Sequence, residues 1–93
     1  MEKRIRAIVS GRVQLVMFRD FVRRKAHKYD LTGWVRNVPD NTVELVAEGK
    51  EENLKEFIEC LHEGSLLAEV EDVEVKWWPE ATSEFQEFEI RRK

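Results

Sequence analysis

Twice within 93 residues the hydrophobic pattern passes from period two to a 3–4 spacing and back again. That order is the strongest constraint on what the chain can fold into. From Arg4 to Ser10, Ile5, Ala7 and Val9 share one face, which is strand periodicity. Phe18, Phe21, Val22, Lys25, Ala26 and Tyr29 then recur at helical spacing, predicting a basic amphipathic helix from Phe18 to Tyr29. Asp30-Leu31-Thr32-Gly33 ends it, and Trp34 to Asn37 reads as a short strand. Val38-Pro39-Asp40-Asn41 carries turn chemistry, because proline presets φ and asparagine tolerates a left-handed conformation. Thr42 to Glu48 alternates, so Trp34–Ala47 forms a hairpin.

Gly49 interrupts the pattern, and Leu54, Phe57, Ile58 and Leu61 define an acidic helix over Glu51 to His62. Gly64 stands where a helix C-cap is expected. Val70, Val73, Val75 and Trp77 mark another strand, stopped by Pro79, and Phe85, Phe88 and Ile90 support a last one. The order is β-α-β-β-α-β with one strand added. It predicts an α+β, ferredoxin-like split-βαβ sandwich with an antiparallel sheet of four to five strands and both helices on one face. Such a fold decides no function by itself.

No low-complexity linker interrupts residues 1–93, which are therefore expected to form a single domain. With 42% hydrophobic and 38% charged residues, the chain is too apolar for a disordered protein and too charged for a membrane protein. No apolar run approaches the ~20 residues of a membrane-spanning helix. The N-terminus carries no signal-like segment. Cys60 is the single cysteine, which excludes an internal disulfide and a multi-cysteine zinc site. A cytoplasmic location is the expectation.

Net charge is −3, but it is unevenly distributed. Residues 1–38 hold ten Lys or Arg against three acids; residues 39–93 hold six against sixteen. Two readings stand: the basic half attracts an anionic ligand, or the halves attract each other across the fold.

The segment most able to carry chemistry runs from Ser10 to Arg19. A loop entering a helix offers unpaired N–H groups, and the helix dipole favours an anion there. Arg19 lies in the first helical turn, where a cation is disfavoured unless something negative offsets it. Asp20 is one candidate for that offset; a bound phosphate is the other. Guanidinium suits phosphate because it donates paired hydrogen bonds and keeps its charge. The spacing is not that of a Walker P-loop.

Gly11-Arg12-Val13-Gln14-Leu15-Val16-Met17-Phe18-Arg19 resembles the acylphosphatase signature G-x-V-Q-G-V-x-F-R. Gly33-Trp34-Val35-Arg36-Asn37, with Asn41-Thr42-Val43 and Gly49, is similar to the second signature of that family. The stretch from Gly64 to Val73 and the ending from Glu84 to Ile90 also fit, so the resemblance spans essentially the whole chain. It implies metal-independent, cofactor-free hydrolysis of the carboxyl-phosphate bond of acyl phosphates. On that resemblance, Arg19 binds the phosphoryl group beside the loop amides of Gly11, Arg12, Val13, Gln14, Leu15, Val16 and Met17, and Asn37 orients the attacking water. The partners implied are a small acyl phosphate or inorganic phosphate, with no nucleic acid or membrane, and the expected state is a monomer.

The sequence departs from the pattern at two places. Leu15 replaces the second loop glycine and Asn41 replaces the hairpin glycine. Leu15 motivates an alternative: a catalytically weak or inactive module that keeps an anion cup. An RNA-binding ferredoxin-like domain is disfavoured, since no RNP-like segment occurs and the second half is acidic. A metal-chaperone version lacks its Cys-x-x-Cys. His27 and His62 lie on different helices without neighbouring ligands. Cys60 flanks the apolar stripe of the second helix, and Trp77-Trp78 puts one ring on each face of a strand.

Overall fold

The computed structural model describes residues 2–14 and 17–92. Leu15 and Val16 lie outside the described residues. Seven elements follow one another: β1 (Glu2–Arg12), α1 (Phe18–Lys28), β2 (Thr32–Asn37), β3 (Val43–Lys50), α2 (Glu51–Glu63), β4 (Glu69–Trp78) and β5 (Phe88–Arg91). The five strands form one sheet in the order β4-β1-β3-β2-β5. Both helices pack on the same face. There Ile5, Ala7 and Val9 of β1, Val35 of β2, Val43, Leu45 and Ala47 of β3, and Phe88 of β5 meet Phe18, Phe21, Val22 and Ala26 of α1 and Leu54, Phe57, Cys60 and Leu61 of α2. This is the ferredoxin-like α+β sandwich expected from the pattern.

The sheet differs from the expectation in one pairing. β1 pairs antiparallel with β3 and β4, and β2 antiparallel with β3, but β2 and β5 run parallel. A parallel neighbour needs a long crossover, and here residues 79–87 supply it. The last strand is also shorter than expected, since residues 85–87 precede the ladder. β1 is longer: Gly11 and Arg12 pair with Val70 and Glu69 past a bulge at Ser10/Gly11. Gly11 adopts φ 120°, and a Cβ there would overlap the Glu69 carbonyl oxygen, so the bulge requires glycine.

The crossover is fixed by a buried carboxylate on the sheet face away from the helices. Glu48 Oε2 accepts hydrogen bonds from the Thr82 amide (2.9 Å), the Thr82 hydroxyl (2.8 Å) and Arg4 (3.1 Å); Oε1 accepts one from the Ser83 amide (3.0 Å). Beside it, Glu44 takes Arg6 on one oxygen (2.6 Å) and Arg36 on the other (2.7 Å). The Arg36 and Arg91 guanidiniums flank the Trp34 ring. Every residue of β3 from Val43 to Gly49 is consequently buried, apolar side chains on one face and paired acids on the other. Among the described residues, no helix is long and apolar enough to cross a membrane.

Candidate active site

In the strand order observed, β1 and β2 both run antiparallel to β3, so their C-terminal ends lie at the same edge of the sandwich. The β1–α1 connection leaves from that edge, and α1 packs over β2 and β5. Three sequence-distant pieces converge there.

The first is the entry to α1. Met17 is its N-cap residue, in the left-handed conformation (φ 57°, ψ 28°), and no side chain caps the helix. For a residue with a Cβ this geometry costs about 1–2 kcal/mol. The amides at the start of the helix lack intrahelical acceptors and are open to a ligand. The second piece is Arg19 in the first turn. Asp20 does not offset it, because that carboxylate is taken by Arg23 (2.7 Å) and Arg24 (2.9 Å), which hold the Asp20 carboxyl below its usual range. Among the described residues no carboxylate pairs with Arg19; its Nη1 donates only a long hydrogen bond to the Arg91 carbonyl oxygen at 3.5 Å. The last strand, laid parallel beside β2, brings that carbonyl to the site. The first sequence signature gives no sign of it, because the partner is main chain and 72 residues away.

The third piece is Asn37, the last residue of β2. It lies two positions beyond the buried Val35 and so faces the helix layer. Its Oδ1 is buried and has no hydrogen-bond partner among the described residues. Leaving such an acceptor empty costs about 1–3 kcal/mol, so a ligand or water is needed to satisfy it. Val13, Met17, Phe18, Arg19 and Asn37 together line a recess of about 220 Å³. Val13 and Phe18 form its apolar wall, each 1% exposed.

The remaining residues singled out in the sequence take different places. Gly11 and Arg12 belong to β1, not to a free loop, and Arg12 pairs with Glu69 at 3.2 Å on the surface. Gln14 sends its side chain across the site. Its Nε2 donates to the Val38 and Thr42 carbonyl oxygens, each at 2.8 Å, tying the β1–α1 connection to the β2–β3 turn. Nothing in the spacing predicted that bridge. The turn is further closed by Asp40, whose Oδ1 accepts from the Thr42 hydroxyl and amide; these bonds lower the Asp40 pKa. Asn41 adopts φ 71°, the left-handed conformation anticipated where the motif has glycine. His27 and His62 are exposed on their helices, and Cys60 is buried in the core.

The arrangement is an unpaired guanidinium, open helix amides and an unsatisfied amide oxygen around one small recess. It can hold a tetrahedral anion and one water. Comparison with known proteins agrees with that chemistry. The family model described as acylphosphatase matches residues 5–90. An acylphosphatase of Salinibacter ruber is 50% identical over 91 residues, covering 98% of this chain and 95% of the relative. One of Bacillus licheniformis is 52% identical over 85 residues, covering 91% and 93%. The crystal structure of acylphosphatase from Bacillus subtilis superposes with a TM-score of 0.92 at 40% identity, covering 96% of this chain and 98% of that one.

Proposed function

Since the chain belongs to the acylphosphatase family, and with it to the acyl phosphate hydrolases, we propose that Arg19 seats the phosphoryl group and that Asn37 holds the water that attacks it. The observation that carries this reading is the recess shared by the Arg19 guanidinium and the buried, unpartnered Oδ1 of Asn37. The guanidinium and the open amides of α1 neutralise the phosphoryl oxygens. Oδ1 accepts a proton of the water and aims its lone pair at phosphorus.

The leaving group explains why so few residues suffice. A carboxylate whose conjugate acid has a pKa of about 4 departs without a general acid. Water adds to phosphorus as the bond to the acyl oxygen breaks. Its proton passes to a phosphoryl oxygen of the substrate, giving carboxylate and phosphate. The protein contributes positioning and charge stabilisation, so no histidine base and no metal enter the scheme. On the same reading the protein acts as a cytoplasmic monomer on a small acyl phosphate, without nucleic acid.

The test is acyl phosphate hydrolysis in the presence of a chelator, with phosphate binding measured in parallel. The wild type turns over with chelator present. Arg19→Gln weakens phosphate binding at least about tenfold, the value of a charge-assisted hydrogen bond, and turnover is lost. Asn37→Ala still binds phosphate but loses about 100-fold in kcat, since only the water is misplaced. Undiminished turnover in Arg19→Gln would overturn the mechanism. Phosphate binding without any turnover in the wild type would establish the anion-binding module instead, and Leu15→Gly then tests whether the loop leucine is the cause.

A further inference from the structure

One wall of the recess is not used by the chemistry above. Arg19 and Asn37 supply its polar groups, and Val13 and Phe18 are each 1% exposed and only shape it. Met17 is different: it lines the same recess yet is 76% exposed. Its main chain is fixed, because its carbonyl oxygen accepts the Phe21 amide (3.1 Å) in the first turn of α1. The side chain therefore leaves the rim from a constant position, while its unbranched thioether stays adaptable.

Geometry says what meets it. In an in-line displacement the leaving oxygen lies opposite the attacking water. With the water held by the inward-facing Asn37, the acyl group points out of the recess, past the rim. Among the lining residues Met17 is the one exposed apolar side chain at that rim. Resting on the proposed roles of Arg19 and Asn37, we propose that the Met17 side chain contacts the acyl group and makes the enzyme favour aromatic acyl phosphates over acetyl phosphate. A thioether packs well against an aromatic ring and gains little from a methyl group.

The experiment compares KM for benzoyl phosphate and acetyl phosphate in wild type, Met17→Ala and Met17→Leu. Leu67→Ala is the control, because Leu67 is also exposed but does not line the recess. In Met17→Ala the benzoyl phosphate KM is expected to rise about two- to tenfold. The acetyl phosphate KM and both kcat values stay unchanged. Met17→Leu retains most of the discrimination and Leu67→Ala all of it. Equal shifts for both substrates, or none, overturn the inference and leave Arg19 and Asn37 untouched. If the wild type hydrolyses neither substrate, the catalytic reading fails and binding decides the matter by calorimetry with phenylphosphonate and inorganic phosphate. Loss of the extra affinity for phenylphosphonate in Met17→Ala supports the Met17 contact; equal wild-type affinity for the two overturns it.

Discussion

Two residues of the β2–β3 region show how closely single positions are dictated by backbone geometry. Gly33 has φ 141°, and a Cβ there would run into the Val46 carbonyl of the neighbouring strand. Gly33→Ala should cost about 3 kcal/mol or more, read from the urea midpoint, because neither backbone can move without breaking the ladder. Asn41 tolerates φ 71° through its short polar side chain. Asn41→Gly should be neutral or slightly stabilising, whereas Asn41→Val should lose about 1–2 kcal/mol. Asn41 was readable from the sequence because the turn motif itself names the strained position. Asn37 was readable as a strand-end residue, and the family signature gave it a role. That its oxygen is left buried without a partner depends on α1 closing over it, a contact between segments far apart in the chain.

At the scale of elements, the site depends on how firmly the β1–α1 connection is held to the β2–β3 hairpin. Gln14 makes that link by donating both hydrogens of Nε2 to carbonyls of the turn. Gln14→Glu cannot donate them, and Gln14→Ala leaves both carbonyls short of a partner. Each should lower kcat about tenfold to 100-fold with a smaller change in phosphate affinity, since Arg19 stays on its helix while Asn37 drifts relative to it. Steady-state kinetics beside phosphate titration checks the split. The helices and the first four strands were legible within one or two residues because each carries its own periodicity. The last strand was not. Its four residues pair parallel to β2 only because Glu48 ties Thr82 and Ser83 to the sheet, and local pattern says nothing about which edge a short strand will join.

Across the whole molecule, the two oppositely charged halves pair with each other. Lys3, Arg4, Arg6, Arg12 and Arg36 from the basic half meet Glu51, Glu48, Glu84, Glu44 and Glu69 from the acidic half. The basic excess is thus largely spent on the fold, and the anion site relies on Arg19, which those pairs leave aside. Acid should expose the dependence. Burial pushes Glu44 and Glu48 up, but the hydrogen bonds from Arg36 and Arg6, and from Thr82, Ser83 and Arg4, outweigh it, so both sit below the ordinary value of 4.5. A depressed carboxylate contributes stability that is complete above its unfolded pKa and is lost as pH falls through its folded pKa. Denaturation from about pH 7 to about pH 3 should therefore show stability falling below 4.5, and less steeply in Glu48→Gln, which starts lower. The sequence by itself determined the layered fold, the family and the identities of Arg19 and Asn37, because periodicity and motif are local properties of a chain. Only the tertiary structure decided the parallel last strand, the Gln14 bridge and the Arg19 guanidinium left without a carboxylate beside an unsatisfied amide. Those depend on which distant segments meet, and in a sheet ordered β4-β1-β3-β2-β5 the neighbours in space are mostly not neighbours in sequence.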